Sequence, residues 1–586
     1  MPRKPVGCLL ILACSDRKRA VDGKVPAIHL YDGVNFRVLK ATLLERGWPA
    51  GLQVKILSAK YGLIDATELI ERYDQRLVPD VALRINRRTI AELAKIPSPS
   101  SVFVNLGSGY LPAVAGLSRA FPRSKITYAR GPIGMKMRAM KRWLQEVPYG
   151  TARLRGQAGK KAPYLYFFPD WDDFVYEPFT PKDGETTLGK RTYAHELCGD
   201  RVPFDGILLS LAHIHVGKGA LHRMSNQGEQ RIYLRRRLKI PRSLLLFGDC
   251  GAFSYANEPT PPFSPERAAA LYHHFGFDIG ASVDHIPLPE IDVLQADGTL
   301  KRTPLDQSTR YNRMYLTRDN ADRFLWVCRR RGYGFIPLGV IQGLGARSYV
   351  QRLHDYIDMG YEHIALGGLV PRSDADILQI LCAVRRALQS RPRPLARNVW
   401  LHLFGILRPK LQPMFRQLGV SSFDSASYFR KAWLRSDQNY LDPAGSHWYG
   451  TIRIPIADSV RMIAAGESHG LTQQVLAKRE AACLAAVEAW DNTPSTVANL
   501  LKSVDKYGPL LERKGEENHF RHKHALLLRD RPWDKCRCPF CKSAGINVVI
   551  YRGASRNKRR GLHNTWVFYH KVLHGDAVPS SIPAAD

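Results

Sequence analysis

One pattern constrains this chain more than any other. Apolar segments of strand length repeatedly break off at a glycine or a polar residue, and a segment of helical length follows before the next. The run 244–248 stops at Asp249, 279–283 at Asp284, 335–341 at Gln342, 363–366 at Gly367 and Gly368, 399–404 at Gly405, and 419–423 at Asp424. Short apolar runs that end beside glycine read as buried parallel strands entering turns. The intervening segments 264–275, 320–331, 346–359, 374–390 and 409–418 read as helices. Six to eight such units predict an α/β fold built on a closed (β/α)8 barrel. In a barrel of this kind, groups that carry chemistry sit where strands end, which draws Asp249, Asp284, Gln342 and Asp424 to one rim. A lone Asp beside a strand is more often a turn or helix cap, so the recurrence carries the argument.

The chain has 586 residues, too many for one ordinary core, which predicts two or three domains. Residues 1–150 read as a separate small α/β domain, with strands at 6–13, 53–58 and 101–106 and helices at 36–46 and 86–94. Cys14, Ser15, Lys18, Tyr31, Gly33 and the run Ser58-Ala59-Lys60-Tyr61-Gly62 gather near its strand ends and resemble an uncharacterised domain family. They fit a phosphate or nucleobase site and fit helix caps and turn closures equally well. Residues 151–162, rich in glycine and basic residues, read as a linker. The barrel is expected over 163–465, a helical insert over 466–530 and a metal-binding subdomain with the end of the barrel over 531–575, followed by a tail at 576–586. The Pro-Arg alternation at 390–397 reads as a surface loop.

Charge narrows the partners. The 86 Lys and Arg residues against 53 Asp and Glu give a formal net charge of +33, which favours a polyanion, nucleic acid first. Basic clusters at 235–237, 329–331 and 552–560 suit a broad phosphate-tracking surface. No apolar run of membrane-spanning length occurs, so no membrane partner is expected. Residues 1–14 imitate a lipoprotein signal only superficially, and a buried first strand fits them better. Ten cysteines, three of them at 536, 538 and 541, point to metal ligation in a reducing, cytoplasmic compartment. Cys536, Cys538 and Cys541 with a later His make a closed tetrahedral set for Zn²⁺. Four protein ligands leave no open position, so the metal is expected to be structural.

Taken in order, Gly248-Asp249-Cys250-Gly251-Ala252-Phe253, Ser282-Val283-Asp284, Gly339-Val340-Ile341-Gln342-Gly343, Leu366-Gly367-Gly368-Leu369, Phe423-Asp424 and the late Cys-x-Cys-x-x-Cys with His563-Asn564 resemble the tRNA-guanine transglycosylase family, over roughly residues 206 to 570. Asp-Trp-Asp-Asp at 170–173, with Tyr193, His195 and Glu196, resembles the branch that acts on DNA, the 7-deazaguanine DNA transglycosylases (DpdA). The resemblance implies base exchange at C1′ of a nucleoside. Asp424 is then the nucleophile, and Asp249, partly desolvated with a raised pKa, moves the proton. Asp284 and Gln342 read the edge of a guanine-like ring, Gly367, Gly368 and Leu369 offer backbone groups, and Phe253 stacks on the base. His563 completes the metal set in preference to His570. The implied partners are DNA, a 7-deazaguanine such as preQ0, a partner ATPase and a second copy in a homodimer. Asp424 and Cys536 lie 112 positions apart, farther than expected of the tRNA enzymes, so tRNA is the alternative substrate. A noncatalytic zinc-containing DNA-binding protein is the third reading, disfavoured by the presence of both Asp249 and Asp424.

Overall fold

The computed structural model describes residues 7–574 apart from 22, 47–51, 76–77, 97, 148–163, 171–172, 180–188, 218–220, 223–233, 242, 296–298, 391–398, 435, 493–495 and 512–516. The expected linker at 151–162, the tail at 576–586, most of the Pro-Arg loop and Trp171-Asp172 of the Asp-Trp-Asp-Asp motif lie outside the described residues.

Eight parallel strands close into a barrel in the order Gly206–Ser210, Leu245–Asp249, Ile279–Ala281, Ile336–Ile341, His363–Leu366, Trp400–Leu403, Ser422–Asp424 and Leu165–Pro169. All six strands expected from the broken apolar runs are present. The other two, Leu165–Pro169 and Gly206–Ser210, were not singled out in the sequence. Leu165 pairs with Ser422 and Phe167 with Asp424, so the strand that closes the ring finds its partner more than two hundred residues later. Nothing local in the sequence announces such a pairing. The chain also divides into two compact units. One contains Met1–Pro163, Ser210–Ala365 and Leu388–Trp400; the other contains Tyr164–Leu209, Leu366–Ala387 and Leu401–Asp586.

In the first unit, helices start and stop where capping chemistry dictates. Ser264 Oγ accepts from Arg267 N at the head of Pro265–Phe275, and Gly276 ends that helix at φ 73°. Asp306 caps Gln307–Arg331 by accepting from Thr309 N at 2.8 Å, which starts the helix thirteen residues before the expected 320. The polar stretch after Gln307 lacks a clear apolar stripe, and the cap decides where the helix begins. Tyr272 packs against two barrel strands where they have no side chain. A Cβ at Gly248 would lie 2.3 Å from its ring and one at Gly280 2.6 Å. A hairpin not foreseen, Glu290–Leu294 with Leu300–Pro304, follows the Ile279–Ala281 strand.

The amino-terminal domain is a five-stranded sheet in the order Gly62–Asp65, Leu52–Ser58, Cys8–Ala13, Ser101–Asn105 and Lys125–Tyr128. The Cys8–Ala13 strand is buried throughout. Helices Pro79–Ala94 and Ile133–Glu146 belong to the same domain.

In the second unit, the region expected to be a helical insert forms Val460–Ser468, Gln473–Asn492, Val497–Val504 and Glu517–Asp530. Gly470, at φ 65°, separates the first two of these helices. Among the described residues no helix is long and apolar enough to cross a membrane.

Candidate active site and metal centre

The Leu245–Asp249 strand ends in a turn that only glycine permits. Gly251 is left-handed at φ 82°, and a Cβ there would lie 2.1 Å from Ser210 Oγ. The following 3₁₀ turn, Ala252–Tyr255, folds Tyr255 back toward Cys250. Its hydroxyl donates to the Asp284 carbonyl oxygen at 2.9 Å and lies 3.1 Å from Cys250 Sγ.

Cys250 Sγ donates to Asp284 Oδ1 at 2.7 Å, and Gln342 Nε2 donates to Asp284 Oδ2 at 2.6 Å. Burial pushes the Asp284 carboxyl above its ordinary range, and these two donors pull against that shift. Burial also raises the Cys250 thiol well above its usual value, which keeps the proton on sulfur as the hydrogen bond requires. One Gln342 amide hydrogen goes to Asp284, the second remains for another acceptor, and the buried Oε1 has no partner among the described residues. Asp249 is half-buried at its strand end, its carbonyl oxygen accepting from Leu211 N at 2.7 Å. Phe253 is 54% exposed, a large aromatic face open to solvent.

In the second unit, Asp424 ends the Ser422–Asp424 strand with 10% of its side chain exposed. Gly405 N donates to its Oδ1 at 2.8 Å, and His402 Nε2 lies 3.2 Å from the same oxygen. His402 is fully buried, and desolvation lowers its pKa, so the ring is neutral near pH 7. A carboxylate cannot donate, so Nε2 carries the proton and Nδ1 accepts from Ser422 Oγ at 2.8 Å. Both donors to Asp424 converge on Oδ1; among the described residues no hydrogen bond reaches Oδ2. His402 and Ser422 were missed in the sequence, where both lie inside apolar strand patterns. Two inward positions on paired strands, His402 opposite Ser422, bring them together.

Gly367-Gly368-Leu369 follows the His363–Leu366 strand. Gly368 adopts φ 66°, Leu369 is buried, and the Gly368 carbonyl oxygen accepts from Arg372 Nε at 3.3 Å.

The metal set assembles as expected from the ligand types. His563 Nδ1 lies 3.5, 3.4 and 3.3 Å from the sulfurs of Cys536, Cys538 and Cys541. All four ligand atoms are within 4.8 Å of one another and buried. A tetrahedral Zn²⁺ places sulfur and nitrogen about 3.6 Å apart, so the donors fit a metal of that size. His563 Nε2 donates to Leu441 O at 2.7 Å, which leaves Nδ1 bare for a metal. Tyr440 stacks on the His563 ring at 4.1 Å and 6°. Asn564 Oδ1 accepts from Leu441 N and its amide donates to Asn439 O, so the His-Asn pair anchors the strand that orients His563. His570 is bonded to Arg201 O and stands outside the cluster.

One expectation is overturned. The basic cluster 552–560 is not a phosphate-tracking surface, because Arg556, Arg559 and Arg560 are at most 1% exposed. Arg560 donates to Val548 O, Ile550 O and Ala432 O, and Arg559 pairs with Glu177 at 2.7 Å. These guanidiniums cross-link chain segments from inside.

Residues 9–142 match a family described as Family of unknown function (DUF6884). A DNA-guanine transglycosylase from Salmonella montevideo is 32% identical to this chain over 420 residues, which span 70% of this chain and 96% of that protein. With that identity over nearly the whole relative, the closed barrel and the buried Cys₃His cluster, the chain belongs to the guanine transglycosylase family of pentosyl-transferring enzymes.

Proposed function

We propose that the protein exchanges guanine in DNA for a 7-deazaguanine base of the preQ0 type through a covalent bond between Asp424 and the sugar. The observation that carries the reading is the hydrogen bonding of Asp424. Two donors hold Oδ1, which fixes the carboxylate and leaves Oδ2 as the attacking oxygen. Oδ2 bonds to C1′ as the C1′–N9 bond breaks, and the bonding pair leaves with guanine, protonated by Asp249. The incoming base gives its N9 proton to Asp249 and attacks C1′, which releases the Asp424 carboxylate. Two displacements return the sugar to its starting configuration.

Asp284 binds the N1–H and amino edge of the ring. Each carboxylate oxygen accepts one bond already, from Cys250 and from Gln342, and each retains a lone pair for the base. Gly368 and Leu369 supply backbone groups, and Phe253 stacks on the base, a sequence-tolerant contact of about 1–3 kcal/mol. The target nucleotide has to leave its stack or arrive single-stranded. DNA is favoured over tRNA because the Salmonella relative is a DNA-guanine transglycosylase. Zn²⁺ held by Cys536, Cys538, Cys541 and His563 stabilises the subdomain and takes no part in the chemistry.

The test is exchange of labelled guanine into DNA and into tRNA by the purified protein, with denaturing gels for an enzyme–nucleic acid adduct. The reading expects label and adduct with DNA, both abolished in Asp424→Asn. Full exchange by that variant would overturn the mechanism, and label confined to tRNA would overturn the substrate.

A further inference from the structure

The amino-terminal sheet has a switch point of its own. From its central strand, Cys8–Ala13, the chain pairs first with Leu52–Ser58 on one side and later with Ser101–Asn105 on the other, both parallel to it. In open α/β sheets such a reversal leaves a crevice beyond the carboxyl ends of the strands, where ligands bind. Cys14 follows the first of these strands, Ser58 ends the second, and Tyr110 lies in the 3₁₀ turn after the third.

These ends carry two hydrogen-bonded groups of polar side chains. Cys14 Sγ is 3.3 Å from Tyr110 Oη. Ser58 Oγ is 2.8 Å from Tyr73 Oη, which is 2.8 Å from Tyr31 Oη. Ser58 also accepts from Lys60 N and Tyr61 N, so closing a turn explains that hydroxyl. Turn closure does not explain the phenols, nor the half-buried thiol and phenol of Cys14 and Tyr110. Lys18 Nζ stands 4.4 Å over the Tyr73 ring and joins no ion pair among the described residues. Its loop is already fixed: Asp32 N donates to Arg17 O at 2.8 Å and Arg19 N to Leu30 O at 2.9 Å. The surroundings are cationic, because Arg17, Arg19, Arg37 and Lys40 all lie within 3.9 Å of the single carboxylate of Asp32. The half-buried Tyr61 ring packs edge-on to Tyr73 at 5.4 Å.

We propose that this crevice binds a nucleotide, its phosphate drawn to Lys18 and its base lying on Tyr61 with polar contacts to Cys14 and Tyr110. A cationic group beside aromatic faces and neutral hydroxyls matches a ligand with an anionic end and a flat polar end. The site is separate from the barrel and does not depend on its chemistry. The nucleotide is either free or part of a single strand.

The experiment titrates the full chain with dCMP, inorganic phosphate and a short oligo-dC strand, followed by calorimetry. A pyrimidine is used because a guanine-like base would also seek the barrel. Lys18→Glu and Tyr110→Phe, which keeps the ring, are each expected to weaken binding at least about tenfold. Arg87→Glu, the same charge change at an exposed position on Pro79–Ala94, and Asp284→Asn are expected to leave it unchanged. Binding of dCMP without the strand identifies a free nucleotide, and binding of the strand without dCMP, weakened by Lys18→Glu but not by Arg87→Glu, identifies a polynucleotide; either supports the site. Three results would overturn it: no binding of either probe, equal binding by Lys18→Glu and Arg87→Glu, or phosphate competing as strongly as dCMP.

Discussion

At the scale of residues, the two carboxylates Asp424 and Asp284 differ in what surrounds them, and that difference can be measured. His402 touches Asp424 and acts through it, so it is a positioning residue. Removing its Nε2–H takes away one hydrogen bond to a charged group, worth about 1.5–3 kcal/mol. His402→Ala is therefore expected to slow base exchange by roughly 10- to 100-fold with little change in KM for the base. His402→Asn is expected to recover part of the loss, because its amide can still donate; loss in KM alone would count against the assignment. Asp284 has a folded pKa raised by burial. Its protonation removes an acceptor for the base, so guanine affinity should fall with acidification at a higher pH than an ordinary carboxylate near about 3.9 would give. The same shift fixes the sign for stability. A raised acid contributes most below its unfolded pKa and loses that contribution as pH rises through the folded value. Asp284→Asn, which stays neutral, should gain stability relative to the wild type across that window. Melting curves that shift in parallel at every pH would refute it.

At the scale of elements, the Cys loop and the Gly553–Val567 helix form one device. Cys538 caps the short Pro539–Ala544 helix, Cys541 lies within it, and His563 comes from the long helix. Three cysteine sulfurs and an imidazole nitrogen within 4.8 Å of one another form a set that could hold a metal ion. Cys538→Ser is expected to lower bound zinc below one equivalent and to destabilise this region by several kcal/mol, on the order of a structural site. Metal analysis and thermal melts check both, and full metal content with an unchanged melt would refute the closed site. The buried arginines of the same helix serve the fold by hydrogen-bonding carbonyls, so Arg560→Met is expected to destabilise the protein rather than to weaken salt-dependent nucleic-acid binding.

At the scale of the whole molecule, the formal charge of +33 overstates what nucleic acid can meet, because part of the basic composition is buried. Exposed cations elsewhere, among them Arg302 and Lys301 on the hairpin and Arg17 and Arg19 in the amino-terminal domain, remain accessible. Affinity for duplex DNA is expected to fall with salt at a log–log slope of about −0.9 per neutralised phosphate. A filter-binding series across salt concentrations measures the slope, and a flat series would remove phosphate contacts as the main source of affinity.

The barrel's alternation of strands and helices was legible in the sequence because buried parallel strands need continuous apolar runs and their chemistry clusters at the breaks. Six of eight strands, and the carboxylates at or just beyond the ends of three of them, followed from that local pattern. The metal set was legible because three cysteines within six positions have few other uses. What the sequence left open depended on partners distant along the chain. Leu165–Pro169 becomes a barrel strand only by pairing with Ser422–Asp424. His402 and Ser422 looked like interior strand residues until adjacent strands placed them side by side beneath Asp424. The arginines at 556, 559 and 560 looked like a surface until packing surrounded them with carbonyls. Periodicity along a chain reports which face a residue takes, whereas burial of a charge and the direction of a hydrogen bond are set by neighbours that only the tertiary structure supplies.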